Sequence, residues 1–179
     1  MATVKAELWS WLKVIMVALL LTFVIRTFIM TSTTVKGVSM EPTASTGDRI
    51  FVNQATYYFG EPERFDVIVF KASEDADYIK RVIGLPGDII RYEDDVLYVN
   101  DEAIPEPFLA EARASMVHGR LYTTDYVSHT VVPEGYVFVL GDNRRKSSDS
   151  RQLGFIDMND IIGKAGLRFW PLDKMGFME

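Results

Sequence analysis

One serine of this chain lies in a setting that could make its hydroxyl a nucleophile. Ser39 follows Gly37 and precedes Pro42 in the run Gly37-Val38-Ser39-Met40-Glu41-Pro42-Thr43. Proline fixes φ and has no amide hydrogen, so the backbone after Ser39 is predicted to leave any strand pairing and turn. A hydroxyl held at such a strand end could attack a carbonyl carbon. The same residues could equally form a plain turn with no chemistry.

The residue types that commonly activate a serine are scarce. The chain has no cysteine, which excludes thiol catalysis, disulfides and thiolate metal sites. Its two histidines, His118 and His129, lie eleven residues apart, and neither belongs to an H-E-x-x-H pattern. We therefore expect neither a histidine-based triad nor a metal ion or other cofactor.

A lysine can act as the base if burial among apolar groups lowers its pKa from about 10.4 toward neutrality. Lys80 meets this need because it lies on a predicted hydrophobic strand over residues 78–83. Strand alternation puts Tyr78 and Val82 on the same face, so the ammonium group would lie in an apolar setting. A lysine that snorkels from a sheet edge is the alternative interpretation.

A polar loop over residues 141–151 supplies groups that could hold the serine and the lysine in place. Its acidic residues offer partners for Arg81 and Arg151, and Ser147 could orient an amine. Asp142 paired with Arg81 would pin the loop to the back of the lysine-bearing strand. The alternative is an exposed polar turn.

The elements that would position these residues are mostly strands. Short β-branched and apolar runs are separated by Gly/Pro turns without strand–helix alternation, which indicates a mostly-β domain. The predicted strands cover residues 49–52, 66–70, 78–83, 89–92, 96–99, 136–140, 161–162 and 166–170. Residues 100–133 contain Pro105, Pro107 and a predicted short helix over residues 108–116, so we expect an insertion there rather than core.

The N-terminal region is the only strongly apolar one. Twelve uncharged residues, 14–25, separate Lys13 from Arg26. With Trp11 at one interface and Arg26 snorkelling toward the other, residues 11–30 match the roughly 20 residues that a membrane-spanning helix needs. A cleaved secretory signal and a buried core helix are the alternatives. The absence of an A-x-A-like site after the apolar run favours an uncleaved anchor.

The charge is unevenly distributed along the chain. Residues 1–36 carry +3 within a whole-chain formal charge of −6, which leaves −9 for residues 37–179. An acidic domain repels phosphate backbones, and the sequence offers no basic face. We therefore expect no nucleic-acid partner.

Taken together, these segments resemble the bacterial type I signal peptidases, which are membrane-anchored Ser/Lys proteases. The resemblance rests on the apolar N-terminus and on four motifs: Ser39-Met40-Glu41-Pro42-Thr43, Gly47-Asp48, the run YIKRVIGLPGD that begins at Tyr78, and the run GDNRRKSSDSR that begins at Gly141. The motifs follow the family's order and spacing over nearly the whole chain. Each is moderately specific, and the combination is highly specific. The single short anchor and small insertion resemble the Gram-positive-type enzymes.

The resemblance implies a mostly-β fold with one N-terminal transmembrane helix. Its catalytic domain would be a coiled β-sheet, related to that of the self-cleaving repressors, with a small inserted cap. The implied division is a short cytoplasmic N-terminus at 1–10, an anchor at 11–31, the catalytic domain at 32–99 and 134–179, and the cap at 100–133.

The resemblance also assigns roles to individual residues. Ser39 matches the nucleophile, with its backbone N–H as one oxyanion-hole donor, and Lys80 matches the general base. The supporting positions are Ser147, which would hydrogen-bond the lysine amine; the structural ion pairs Asp142–Arg81 and Asp149–Arg151; and Met40, Tyr78 and Ile79, which would line shallow pockets for small substrate residues.

One position departs from the larger enzymes of the family. They carry a hydroxyl residue two positions before the nucleophile to complete the oxyanion hole, whereas this chain has Gly37. Loss of such a donor can lower the rate by on the order of 10²–10³. The identity of the second oxyanion donor is therefore open.

The implied activity is removal of N-terminal signal peptides from exported preproteins, after small residues at positions −1 and −3, through an acyl-enzyme. The implied partners are these signal peptides and the lipid bilayer. The implied location is the bacterial cytoplasmic membrane, with the N-terminus inside and the catalytic domain outside. Residues 167–172 and 175–178 could add an apolar surface that enters the membrane interface, or could be core strand. A self-cleaving repressor-type Ser/Lys protease and a non-catalytic anchored binding module are the alternatives.

Overall fold

The computed structural model of the chain describes residues 2–24, 26, 29–58, 60–74, 76–117 and 119–178. Three positions of the predicted anchor, Ile25, Thr27 and Phe28, lie outside the described residues. So does His118, one of the two histidines of the predicted insertion.

The described residues form three α-helices and twelve strands. The helices are α1 (Ala2–Val24), α2 (Ala110–Ala114) and α3 (Ser150–Leu153). The strands are β1 (Met30–Thr34), β2 (Arg49–Asn53), β3 (Val67–Ser73), β4 (Ala76–Gly84), β5 (Ile90–Glu93), β6 (Val96–Val99), β7 (Glu102–Ile104), β8 (Tyr126–Val127), β9 (Tyr136–Leu140), β10 (Ile156–Asp157), β11 (Ile161–Trp170) and β12 (Gly176–Phe177).

The strands form two antiparallel sheets. The large sheet has eight strands in the order β1-β2-β11-β3-β4-β9-β10, with β12 paired to β11. The small sheet has four strands in the order β7-β6-β5-β8. The predicted mostly-β class is confirmed.

The large sheet is buried on both faces around its centre. Alternate residues of β3 enter two different core clusters, Val67 with Val69 in one and Ile68 with Phe70 in the other. In the neighbouring strand β4, every residue from 79 to 84 is buried. A polar side chain on this stretch of β4 therefore lies in the protein interior, and this stretch contains the candidate lysine.

A third core cluster joins the two sheets. Ile83, Phe138 and Leu140 of the large sheet pack with Ile90 and Leu97 of the small sheet. The small sheet is therefore packed against the ends of β4 and β9, close to the start of the polar loop at residue 141.

The small sheet begins earlier than the predicted insertion. Strands β5 and β6, which we expected in the catalytic domain, pair with β7 and β8 rather than with the large sheet. The predicted helix over residues 108–116 is a short 3₁₀ turn followed by α2. The two predicted strands near residues 161–170 are one continuous strand, β11, because the intervening residues 163–165 also pair with the neighbouring strands β2 and β3.

The N-terminal helix α1 is longer than the apolar run alone. Its apolar side chains from Trp9 to Phe23 are exposed. Strand β1 already begins at Met30, inside the stretch that we counted as anchor. Among the residues with a described structure, no helix meets the combined length and apolarity needed to cross a bilayer.

Candidate active site

The segment after β1 holds Ser39 in a tight turn, here called the serine turn (residues 37–43). Gly37 begins it with a φ of +90°, in the left-handed region that favours glycine. The Gly37 carbonyl accepts a hydrogen bond from Thr46 Oγ1 at 2.8 Å. Further along, the Ala44 N–H donates to the Met40 carbonyl at 2.9 Å. These bonds fix the turn, so the half-buried Ser39 side chain has a defined position.

The Lys80 amine contacts the Ser39 hydroxyl directly. Lys80 is only 3% exposed, and its Nζ donates to Ser39 Oγ at 2.9 Å. A second bond runs from Nζ to the Ile79 carbonyl at 2.9 Å. The ring of Tyr78 lies 5.0 Å from the same nitrogen. The two residues are 41 positions apart in the chain, and the pairing of β1, β2, β11, β3 and β4 brings them together.

Burial changes the acid–base properties of this amine. Desolvation disfavours the charged form and lowers the pKa of Lys80 from 10.5 to about 8. The carboxylates of Asp149 and Asp142 act in the opposite direction and limit the pKa shift. A substantial fraction of Lys80 is therefore neutral just above neutral pH, and a neutral amine can accept a proton.

The polar loop, which in the structure covers residues 141–149 because α3 begins at Ser150, packs directly against the serine turn. A Cβ on Gly141 would lie 2.3 Å from Ser147 Oγ and 2.4 Å from the Ser39 carbonyl oxygen, so only glycine fits there. Asn143 donates its backbone N–H to the Ser39 carbonyl at 3.0 Å. Its side-chain amide donates to the Val38 carbonyl at 3.0 Å. The loop therefore fixes the backbone on both sides of the Ser39 amide.

A buried ion pair connects the polar loop to β4. Arg81 donates from Nε to Asp142 Oδ1 at 2.9 Å and from Nη2 to Asp142 Oδ2 at 2.8 Å. Both side chains are almost completely buried. Thr43 Oγ1 donates to the same carboxylate at 2.5 Å. One aspartate thus joins the strand of Lys80 to the serine turn.

A second ion pair shapes the end of the polar loop. Arg151 donates from Nε to Asp149 Oδ1 at 2.8 Å and from Nη2 to Asp149 Oδ2 at 2.9 Å. The Asp149 carboxylate also accepts from the Gly141 N–H at 3.1 Å. Both pairs named from the sequence, Asp142–Arg81 and Asp149–Arg151, are therefore present in the structure.

The hydrogen bonding of Ser147 differs from the prediction. Its Oγ is buried and makes no hydrogen bond with the described residues, whereas we expected a bond to the Lys80 amine. The amine is instead hydrogen-bonded to Ser39 Oγ and the Ile79 carbonyl. Ser147 does lie at the site, against the α-carbon of Gly141.

A cleft of about 490 Å³ opens in front of Ser39 and Lys80. It is lined by Thr33, Thr34, Val35, Lys36, Gly37, Val38, Ser39, Ile50, Val69, Ala76, Asp77, Tyr78, Ile79, Lys80, Lys146 and Ser148. Tyr78 and Ile79 thus line the cleft as expected. Met40 does not, because its side chain packs into the core cluster beneath the sheet.

Sequence reasoning missed the contacts between the polar loop and the small sheet. Arg144 is buried and forms an ion pair with Glu106, at 2.6 Å between Nη2 and Oε1. Tyr122 OH donates to the Asp142 carbonyl at 2.8 Å. The sequence signals only that Arg144 is basic, and its carboxylate partner Glu106 lies in the stretch that we interpreted as a separate cap.

Nothing in the described part of the chain resembles a metal centre, since no three His, Cys, Asp or Glu side chains cluster suitably. The chemistry available at the cleft is that of a hydroxyl, a partly neutral amine and backbone amides. The Ser39 N–H makes no hydrogen bond with the described residues.

The family and the relatives that match this chain are all described as signal peptidases. The family described as "Signal peptidase, peptidase S26" matches residues 8–170. Signal peptidase I of Bacillus caldolyticus is 43% identical over 177 residues, covering 97% of this chain and 95% of that protein. Signal peptidase IB of Staphylococcus aureus (strain MRSA252) is 40% identical over 181 residues, covering 97% and 95%. The crystal structure of a signal peptidase I from Enterococcus faecalis V583 is similar with a TM-score of 0.56 and 39% identity, over 59% of this chain and 97% of that one.

Proposed function

The chain belongs to the signal peptidase family, peptidase S26, and from this premise we propose that Ser39 is the nucleophile and Lys80 the general base of a type I signal peptidase. Family membership over nearly the whole chain makes the protein a peptidase of the signal peptidase I type. The assignment of the two catalytic residues is our own. It rests chiefly on one observation, the 2.9 Å contact between a buried amine and a hydroxyl at the floor of a cleft.

The reaction begins with proton transfer. Neutral Lys80 takes the hydroxyl proton of Ser39, and the Ser39 Oγ attacks the carbonyl carbon of the scissile peptide bond. The Ser39 N–H donates to the developing oxyanion. Lys80 then returns its proton to the leaving amine, which departs as the new N-terminus, and the signal peptide remains as an ester on Ser39. Water, deprotonated by the same lysine, hydrolyses this ester.

The proposed substrate is the cleavage region of an exported preprotein. Two backbone segments, residues 33–38 and 76–80, line the cleft, and an extended peptide bound between them would add a strand to the sheet. Tyr78 and Ile79 then limit the size of the residues at −1 and −3. Met40 acts from below, by filling the core under the cleft floor.

Ser147 has a proposed role in a later stage of the reaction. Once Ser39 is acylated, its oxygen no longer carries the proton that it shared with the lysine. The buried, unpaired Ser147 hydroxyl is then available to orient the Lys80 amine toward water. The unsatisfied hydroxyl supports this proposal because buried polar groups rarely lack a partner.

The protein is proposed to act at the bacterial cytoplasmic membrane as a single-pass protein. Helix α1 would be the anchor, with the N-terminus inside and the catalytic domain outside. Its exposed apolar side chains support this, as do the exposed Trp170, Leu172, Met175 and Phe177 at the end of the large sheet. Side chains of this kind stabilise a protein at a bilayer interface.

Neither alternative class is favoured. The match of residues 8–170 to the signal peptidase family, together with a relative named signal peptidase I over nearly the whole chain, argues against a self-cleaving repressor-type protease. A non-catalytic binding module has no need for a buried lysine in contact with a serine hydroxyl.

The test is cleavage of a purified preprotein by the detergent-purified full chain. Ser39→Ala and Lys80→Ala should each lower kcat/KM by on the order of 10³-fold or more, because each removes one half of the pair. Lys71→Ala, which removes an exposed lysine of the neighbouring strand β3, is the matched control and should cleave normally. Turnover by either site variant at the control rate would refute the assignment.

A further inference from the structure

A closed ionic cluster lies where the small sheet meets the polar loop. Arg144 Nη2 donates to Glu106 Oε1 at 2.6 Å, and Arg144 Nη1 donates to Tyr92 OH at 2.8 Å. Tyr92 OH in turn donates to Glu106 Oε1 at 2.8 Å. All three side chains are buried. Glu106 and Tyr92 belong to the small-sheet side of the molecule, and Arg144 belongs to the polar loop.

The cluster reaches the serine through two further contacts. Arg144 Nε donates to the Gly141 carbonyl at 3.1 Å. Gly141 is the residue whose α-carbon closes against the Ser39 carbonyl and Ser147 Oγ, leaving no room for a side chain. A continuous series of contacts therefore runs from Glu106 through Arg144 and Gly141 to Ser39.

A role in stability alone does not explain this arrangement. Burying an ion pair carries a desolvation penalty, and well-packed apolar residues of similar volume are often as stabilising or more so. What the ion pair adds is a defined relative orientation of the groups that it joins. The planar guanidinium binds the carboxylate through Nη1 and Nη2 and the Gly141 carbonyl through Nε, which fixes the angle between them.

We infer that Glu106, acting through Arg144, is a positioning residue that holds Gly141 and the polar loop in the conformation that aligns Ser39 with Lys80. The small sheet is thereby coupled to the reaction, although it contributes no residue to the cleft lining. This inference rests on the proposed function, because the alignment matters only if Ser39 and Lys80 perform the chemistry.

The same carboxylate offers a matched control. Arg113 Nη2 donates to Glu106 Oε2 at 2.6 Å. Arg113 comes from α2, is partly exposed, and has no contact with the polar loop among its hydrogen bonds in the structure. Arg144→Lys and Arg113→Lys therefore make the same chemical change on opposite sides of one glutamate. Only the first removes the bond to the Gly141 carbonyl.

The experiment measures kcat and KM of the detergent-purified full chain on a signal-peptide-derived peptide. Arg144→Lys should lower kcat by about 10–100-fold and leave KM within about twofold, because a small misalignment of reacting groups has an effect of this size. Arg113→Lys should keep kcat within about twofold. Equal loss in the two variants, loss in neither, or a change in KM alone would overturn the inference.

A second measurement covers the case in which Arg144→Lys does not fold. Glu106→Gln, which keeps the shape of the side chain and removes its charge, then takes its place. Amide exchange is followed at Asn143, whose N–H donates to the Ser39 carbonyl. Exchange of the Asn143 amide should be faster by about tenfold or more in Glu106→Gln and unchanged in Arg113→Lys. Equal exchange in both would overturn the inference.

The two proposals can fail separately. If the wild-type chain cleaves no signal-peptide substrate, the proposed function fails, while exchange at Asn143 still reports whether Glu106 holds the loop. If the wild type cleaves and Arg144→Lys cleaves equally well, the proposed function stands and the positioning role is wrong.

Discussion

At the scale of the residue, the site depends on the burial and the pKa of one amine, that of Lys80. Lys80 is almost completely buried, with the ring of Tyr78 beside its amine, and this burial lowers its pKa to about 8. Two carboxylates, Asp142 and Asp149, remain near enough to keep the pKa from falling further. Each carboxylate is already bound by an arginine, so neither forms a salt bridge with the lysine.

The pKa of Lys80 predicts the pH dependence of cleavage. The proposed general base can accept a proton only when it is neutral, so kcat/KM should rise about tenfold per pH unit below pH 8 and level off above it. The measurement is a pH–rate profile on a peptide substrate without ionisable side chains. Lys71→Ala should leave the profile unchanged. An acid limb centred near the ordinary pKa of histidine, about 6.5, would contradict the account.

Gly141 provides a steric prediction. Gly141→Ala would drive a methyl group into the Ser39 carbonyl and Ser147 Oγ, so the loop must move away from the serine. We expect kcat to fall by about 10²-fold while the protein remains folded. Gly166→Ala is the control, because its added methyl group meets only the Phe51 carbonyl, at 3.9 Å. Wild-type activity in Gly141→Ala would show that the close approach has no functional importance.

At the scale of the element, three separate pieces of chain meet at one buried aspartate. Asp142 of the polar loop binds Arg81 of β4 and Thr43 of the serine turn. These pieces are far apart in sequence and are held by side chains rather than by strand pairing. The arrangement explains how a surface turn and an irregular loop acquire a fixed geometry around Ser39.

Breaking this pair should strongly destabilise the fold. Asp142→Asn removes the carboxylate charge that the buried Arg81 guanidinium binds through two hydrogen bonds, and we expect the free energy of unfolding to fall by about 3–5 kcal/mol. The control is Asp101→Asn, whose exposed carboxylate meets Arg91 at 3.4 Å and whose loss should change stability by less than about 1 kcal/mol. Urea denaturation of both variants gives the comparison. Equal midpoints would contradict the structural role of the Asp142–Arg81 pair.

The sequence predicts the individual strands better than it predicts the side-chain contacts between distant segments. Seven of the twelve strands overlap strands predicted from apolar and β-branched runs, whereas β1, β7, β8, β10 and β12 have no predicted counterpart. The family resemblance placed Ser39 beside Lys80, which local pattern alone could not do. It did not predict that Met40 packs under the cleft or that Ser147 lacks a bond to the amine. Those outcomes depend on side-chain packing between distant segments, and so does the Glu106–Arg144 pair.

At the scale of the whole molecule, the apolar surface and the cleft lie on a single continuous sheet. Trp170, Leu172 and Phe177 are exposed at the end of the chain, on and beside strands β11 and β12. Strand β11 pairs with β2, and β2 pairs with β1, which leads into the serine turn. A membrane contact at this end would therefore hold the cleft near the bilayer, where a signal peptide emerges.

This arrangement predicts that Trp170 contacts lipid. In full-length protein reconstituted into vesicles, with Trp9→Phe and Trp11→Phe, Trp170 is the only remaining tryptophan. Its fluorescence should be quenched by lipids brominated near the headgroup, because interfacial aromatic side chains lie at that depth. The complementary variant, Trp170→Phe, reports on Trp9 and Trp11 of α1. Absence of quenching for Trp170 would exclude the proposed membrane contact of the β11–β12 end.

The proposed Ser39–Lys80 mechanism depends most on a buried lysine that loses its proton near pH 8. Its most direct test is a titration of the side-chain nitrogen of Lys80 by NMR, in protein labelled at lysine and assigned by comparison with Lys80→Arg. We predict a midpoint near pH 8 for this one amine. A Lys80 midpoint near about 10.4, the ordinary pKa of a lysine side chain, would contradict the proposal that this amine activates Ser39.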